Sequence, residues 1–328
     1  MHATALTIRP IALPVPFPLK TANVYLAGVG GTTILVDTGF YTPDAWECLQ
    51  NEVASFTAVY GPLRTIILTH HHPDHVGMAG RLQERHRVPV LTSPGEARLV
   101  SQVWDRSAGR RGAEFFQTHG VPGPVIDTVT REHDTLCSAL APLPRVDPIT
   151  VGVPLVLGGL EFAPVITPGH SPAHLCLWHS RSGTLLAGDH LLPHITPNIG
   201  WDPYSAPDPL HDFLAALAVV ERLSARTAYP GHGLPIGAVD ARIVELRAHH
   251  AERLRTIRAL LDSGPLTGYE IAGRLFGTDL SPQETRFAVV EALAHLEYLR
   301  RRGEIAAGRR HRHVVYTSQG PMLSRTES

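Results

Sequence analysis

The sequence predicts an α/β fold followed by a small helical module, and three observations carry that prediction. Apolar runs of strand length alternate with helical patterns from about residue 22 to residue 224. Several of these runs are apolar throughout, as strands buried on both faces are. From about residue 241 the strand patterns give way to three helical stretches and a terminal hairpin pattern.

The elements follow in order. ANVYLAGVGGTTILVDTG, beginning at residue 22, reads as two strands, VYLAG and TTILVD, around a glycine turn. Asp44 to Val59 places Ala45, Leu49 and Val53 at helical spacing. RTIILT (64–69) is a buried strand whose end opens directly into LTHHHPDHVGMAG. Met78 to His86 reads as a helix and VPVLTS as a strand. Residues 96–150 are less regular: a helical stretch around Glu96–Trp104, a segment with arginine and glycine, then APLPRVDP. An inserted helical cap is expected there. PLVLGG, LEFAPVIT, HLCLWHS and GTLLAGD return to strand patterns, and helix Pro209–Ser224 precedes TAYPGHG.

The last part divides differently, which predicts domains at residues 1–240 and 241–328. AHHAERLRTIRALLD is a long helix. TGYE (267–270) and SPQE (281–284) both match the capping box, in which paired side chains satisfy the free amides of a helix start. Amphipathic IAGRLF and TRFAVVEALAHLEYLRRR follow them, and Gly303 ends the last helix. EIAAG and HVVYTS then form a hairpin around RRHR. Three helices and a two-stranded wing make the pattern of a winged helix.

Composition narrows the function. With 328 residues, a net charge of −1 and 18% charged residues, the chain has ample core and no global field to recruit nucleic acid or an anionic membrane. Three separated cysteines, Cys48, Cys137 and Cys176, argue against a disulfide framework. MHATALTIRPIALPVPFPLK has no basic start and its prolines interrupt the apolar run, so it does not read as a secretory signal. No apolar stretch approaches the ~20 residues of a membrane span. A soluble cytoplasmic protein is expected. The unusual count is the 20 histidines.

Four loop segments, each ending a strand-like run, hold metal-ligand residue types: His70, His72, Asp74 and His75; His170 in TPGHSPAH; Asp189 in LLAGDH; and His232 in YPGHG. Imidazole and carboxylate suit zinc and similar divalent ions. His70 and His72, two residues apart on an extended loop, can point the same way. His71 between them points to the opposite face and is expected to pack. Asp37 in VDTG suits either a carboxylate that receives the outer N–H of a metal-bound histidine or a turn-forming aspartate. His190 and His194 flank Asp189, with a hydrogen-bonding or a substrate role open to each. His174 is left undecided, and Cys176 reads as a core residue. His249, His250, His295, His311 and His313 read as solvated or making local contacts.

His-x-His-x-Asp-His, followed by a PGH histidine, a GD aspartate and a second PGH histidine, resembles the metallo-β-lactamase superfamily over roughly residues 20–240. The resemblance implies an αββα sandwich with a dinuclear site. His70, His72 and His170 would hold one ion, Asp74, His75 and His232 the other, and Asp189 would bridge. A bridging carboxylate relieves the repulsion of two dications ~3.5–4 Å apart. A water between them would fall from a pKa of 15.7 toward ~7, and Asp74 would orient it or take its proton. Two Zn²⁺ are expected, with Mn²⁺ or Fe as alternatives.

An aspartate in the bridging position is similar to glyoxalase II-type thioesterases, lactonases and phosphodiesterases, whereas true β-lactamases lack it. GDHLLPHITPNIG together with a C-terminal winged helix resembles the β-lactamase-like protein 2 branch. The glutathione-binding C-terminal helices of glyoxalase II are not recognisable, nor is the large inserted domain of the RNA-processing nucleases. Trp104, Phe115, Phe116, Trp201 and Tyr204 would wall an apolar pocket or lie in the core. The expected activity is hydrolysis of a small-molecule ester or thioester; the alternative is cleavage of single-stranded RNA with the winged helix contacting nucleic acid. From residue 243 onward 13 arginines face 10 acidic residues, a small excess. Packing on the catalytic domain or a homodimer interface is therefore preferred for that module.

Overall fold

A computed structural model describes residues 6–318. The chain enters as an antiparallel meander of β1 (Thr7–Pro14), β2 (Thr21–Val29) and β3 (Thr32–Val36). Helix α1 (Pro43–Tyr60) crosses to β4 (Leu63–Ile67), which pairs parallel with β3. Two short helices, α2 (Pro73–Val76) and α3 (Ala79–His86), lead to β5 (Val90–Thr92). Then come α4 (Pro94–Val103), α5 (Ser107–Thr118) and α6 (Gly123–Ala139), and β6 (Val146–Pro148) completes a sheet of order β1-β2-β3-β4-β5-β6. The second sheet is built from β7 (Leu155–Leu157), β8 (Leu160–Ile166), β9 (Leu175–His179) and β10 (Thr184–Gly188), and after α7 (Pro209–Glu221) from β11 (Thr227–Pro230). Its order is β11-β10-β9-β8-β7.

The two sheets pack face to face, and the sequence of β3 shows why its strand is apolar throughout. Ile34 and Val36 point into the layer between the sheets, against Phe162, Leu175, Leu177 and Leu186. Leu35 points the other way, under α1, where Leu49, Val53 and Phe56 bury the helical stripe. On the far side Leu185 and Ala187 of β10 meet Phe213 and Leu217 of α7. Two sheets flanked by helices give the expected αββα layering.

Helices α8 (Val239–Leu261), α9 (Gly268–Phe276) and α10 (Pro282–Arg301) and the hairpin of β12 (Ile305–Arg310) and β13 (His313–Ser318) follow. Both capping boxes form, at Thr267/Glu270 and Ser281/Glu284. The amphipathic reading of α10 is corrected by its surroundings: every residue from Ala288 to Glu297 is buried. This helix is an internal strut whose apolar residues share one core with α7 and the second sheet.

Two strands lie where the sequence signals none. Pro10 and Pro14 obscure β1, which tolerates them as an edge strand. APLPRVDP likewise hides β6, the opposite edge of the same sheet. Helices α4, α5 and α6 occupy most of the stretch expected to form a cap, while Val146–Pro148 at its end belongs to the first sheet. The buried pair His250 and His295, with Nδ1 of one 3.1 Å from Nε2 of the other, is not solvated. Among the described residues no helix is long and apolar enough to cross a membrane.

Candidate metal centre

The candidate ligands sit where β4, β8, β10 and β11 end. β10 and β11 run parallel, as β3 and β4 do, so their carboxyl ends place loops at one edge of the sandwich. The structure brings all seven residues together. His70, His72 and His170 form one group and Asp74, His75 and His232 another, the ligand atoms within each lying within 4.8 Å of one another. Asp189 reaches both. Its Oδ2 is 3.5 Å from His170 Nε2 and 3.5 Å from His232 Nε2, and its Oδ1 is 3.5 Å from His75 Nε2. Asp74 Oδ2 lies 3.3 Å from His232 Nε2, and its side chain, 15% exposed, faces the cleft.

The outer ring nitrogens of His70, His75, His170 and His232 have partners. His75 Nδ1 lies 2.8 Å from Asp37 Oδ2. His170 Nδ1 donates to the Asn198 carbonyl at 2.8 Å, and His232 Nδ1 to the Thr21 carbonyl at 2.7 Å. His70 Nδ1 lies 2.9 Å from Thr69 Oγ1, which donates to Asp37 Oδ2 at 2.8 Å. A proton held on Nδ1 leaves the Nε2 lone pair free toward the cleft, the tautomer a metal ligand needs. Asp37 thus meets His75 directly and His70 through Thr69, from a left-handed backbone (φ 59°) that aspartate tolerates better than most residues.

Electrostatics sort the groups. Burial pushes Asp189 upward, but His232 and His75 more than offset it and hold the carboxyl well below the usual range. Burial, reinforced by neighbouring histidines, keeps His70 and His72 neutral. Burial lowers His232 as well, yet Asp189 and Asp74 beside it raise it to about 10. Histidines facing carboxylates therefore hold protons that a cation would displace.

The other candidates separate. His71 turns away and places Nδ1 2.8 Å from Glu96 Oε2. His174 is buried and accepts the Asp189 amide on Nε2 at 3.1 Å, so it sets the backbone of the central carboxylate. His190 is corrected: it is fully buried against Phe213, neither ring nitrogen has a hydrogen-bond partner, and burial lowers it to about 3. It is an outer partner to none of the ligands. His194 is exposed on the loop after β10. Tyr204 accepts from Arg111 of α5 at 2.8 Å, which ties that loop to the cap. Trp104 and Phe116 are core residues, and Phe115 packs edge-on to Trp201 at 5.4 Å.

Sequence reasoning missed the residues that hold the loops. Glu96, fully buried at the start of α4, accepts from the His71 amide (3.0 Å), from the Ala173 amide (3.1 Å) and from Ser171 Oγ. It clasps the two histidine loops together. Asn23 Nδ2 donates to the carbonyls of Pro230 (3.0 Å) and Gly233 (2.7 Å) and fixes the His232 loop. Neither residue type signals such a role in a sequence, and their partners are far away along the chain.

Gly231 explains one glycine of the PGH motif. A Cβ there would overlap Asp189 Oδ1 and come within 2.7 Å of His75 Cε1. Gly231→Ala is expected to displace both side chains and to weaken metal binding at least about 10-fold, the scale seen when ligand support is lost. Competition against a chromophoric chelator measures it; unchanged affinity would contradict this packing. A divalent cation fits the donor set. His75 Nε2 and Asp189 Oδ1 are both buried without a hydrogen-bond partner, and they converge on the same space.

Comparison with known proteins places the chain in a family. Residues 18–232 match the Metallo-beta-lactamase superfamily and residues 254–317 the Metallo-beta-lactamase-like, C-terminal domain. A metallo-beta-lactamase family protein from Thermus thermophilus superposes with a TM-score of 0.80 at 35% identity, covering 95% of this chain and 98% of that one. "Probable metallo-hydrolase YqjP" of Bacillus subtilis is 28% identical over 303 residues, 88% of this chain and 91% of its own. "Beta-lactamase-like protein 2 homolog" of Caenorhabditis elegans is 25% identical over 278 residues, 84% of this chain and 77% of its own. An atrochrysone carboxyl ACP thioesterase of Cryptosporiopsis sp. is 26% identical over 254 residues, 76% of this chain and 60% of its own. The family match spans well over half of the chain, so this protein belongs to the metallo-β-lactamase superfamily.

Proposed function

We propose that the seven side chains hold two divalent cations, most simply Zn²⁺, and that the protein hydrolyses a small-molecule ester or thioester. The observation that carries this reading is Asp189, whose two oxygens face both histidine groups at 3.5 Å. When bound, two such ions supply an acidified water and polarise the attacked carbonyl. The chain contributes the rest. Asp74, in the cleft beside His232, orients the attacking water and takes its proton. Asp37, Thr69, Asn198 and Thr21 hold the imidazoles so that no reorganisation is needed at the moment of reaction. The thioesterase name of one relative supports the acyl substrate class.

For RNA the surface is less suited. In a winged helix bound to nucleic acid, a helix is free to enter a groove, whereas α10 is buried along its central turns. Arg302 pairs with Asp208 and Arg310 with Glu270, so part of the basic run is neutralised. We read the C-terminal module as a winged-helix-like strut for the catalytic domain rather than a nucleic-acid reader.

The test is an assay of the metal-loaded protein on acyl thioesters, lactones and single-stranded RNA, beside an Asp74→Ala/His75→Ala control. Thioester or lactone turnover that the control lacks, with RNA intact, is the expected result. RNA cleavage lost in the control would overturn the small-molecule reading.

A further inference from the structure

The C-terminal module reaches the candidate metal centre through two links. The loop after β10 leans on α10: the Trp201 amide donates to the Val290 carbonyl at 2.9 Å, and Gly200 lies so close that a Cβ would come within 2.9 Å of Val290 Cγ2. Between these contacts and the cleft stands Asn198. Its Nδ2 donates to Glu291 Oε2 at 3.1 Å and to the Phe287 carbonyl at 3.3 Å. Its own carbonyl accepts the Nδ1 proton of His170 at 2.8 Å, and His170 Nε2 stands 3.3 Å from His70 Nε2. Asn198 therefore has one end on the module and the other on a ligand.

We infer that Asn198 and Glu291 are positioning residues for His170, and that the C-terminal module thereby completes the site held by His70, His72 and His170. This rests on the reading of His170 as a metal ligand. The physical reason is direct. A loop carbonyl fixes an imidazole only as well as the loop itself is fixed. Glu291 is 8% exposed and bound to Asn198 in a packed core, a firmer anchor than solvent offers. Arg253 Nη2, 3.9 Å away from Glu291 Oε1, holds the carboxylate from its other side. The role uses a side chain more than ninety residues away from the loop it steadies, on a helix that supplies no ligand.

The test is chelator competition with Zn²⁺, and Co²⁺ absorption in the visible, on the full-length chain and its variants. N198A and E291A are each expected to weaken one of the two ions about 10-fold, the scale for loss of an outer partner, and to shift the Co²⁺ ligand-field bands. E291Q retains an oxygen to accept from Asn198 Nδ2 and is expected to stay within about twofold of the parent. Unchanged affinity and spectrum in N198A would overturn the inference, as would E291Q being as impaired as E291A. Should E291A fail to fold, N198A, altered on a loop, decides alone. H170A separates the two levels: if it keeps both ions, the ligand assignment has failed. If H170A loses an ion while N198A binds both as tightly as the parent, only the positioning role has failed.

Discussion

Asp189→Ala is expected to lose one of two bound ions per chain and to lower kcat/KM by about 10³-fold or more. Among the described residues Asp189 is the carboxylate that faces both histidine groups, with three Nε2 atoms at 3.5 Å from its two oxygens. Two dications a few ångströms apart repel strongly, and an anion between them is what permits double occupancy. Without it the second ion binds in competition with the first. Stabilisation of transition-state charge by metal ions is worth several kcal/mol, and about 1.4 kcal/mol is tenfold in rate, which sets the expected loss. Asp189→Asn keeps the size and removes the charge, so it separates packing from electrostatics. Metal analysis and steady-state kinetics on both variants check this. An alanine variant with two ions and near-parent activity would remove the bridge from the account.

Glu96→Ala is expected to destabilise the fold by about 3–5 kcal/mol, since each of several buried donors left without an acceptor costs about 1–3 kcal/mol. Glu96 is fully buried, and its loss leaves the His71 imidazole and the amides of His71 and Ala173 without their acceptor. Both ligand loops lose their common anchor, so metal binding falls as well. The pH dependence gives an independent check. Burial raises the Glu96 carboxyl, but His71 and the bonds from Ser171 and Ala173 outweigh it and hold it below its ordinary value. A depressed carboxyl stabilises the fold fully above its unfolded pKa of about 4.3, and that stability is lost as pH falls through the folded value. The gap between parent and Glu96→Gln in denaturant midpoint should therefore close in acid. A constant gap from neutral to acidic pH would contradict a charged Glu96 clasp.

The candidate site was legible because its ligands are concentrated in short windows. His70, His72, Asp74 and His75 occupy one loop, and His170 and His232 each follow a Pro-Gly pair. Their spacing is dictated by the loop backbone, so it survives in the sequence. The supports were not legible for the opposite reason. Glu96, Asn23, Asn198 and Glu291 act on loops that the fold, not the chain, brings near, and glutamate and asparagine are common on any surface. His190 shows the same limit from the other side. Adjacency to Asp189 suggested a shared role, but successive side chains at a strand end point to opposite faces, and His190 turns into the α7 core. That strands such as TTILV are buried on both faces was legible from their continuous apolar run, whose alternate residues serve two different cores, whereas the αββα layering came from the family resemblance. β1 did not, because its prolines read as a break.

The C-terminal module reads best as part of the same machine. Its last helix is enclosed by α6, α7, α8 and α9, and it shares a core with the second sheet. The wing touches the cap as well, His313 Nδ1 donating to the Gln117 carbonyl at 2.9 Å.

One cleft is expected to hold two ions on these side chains. The direct measurement is elemental metal analysis of the purified, Zn²⁺-equilibrated protein, with His71→Ala and His72→Ala in parallel. About two ions per chain are expected in the parent and in His71→Ala, and fewer in His72→Ala. One ion or none in the parent, or equal loss in the two variants, would contradict that expectation.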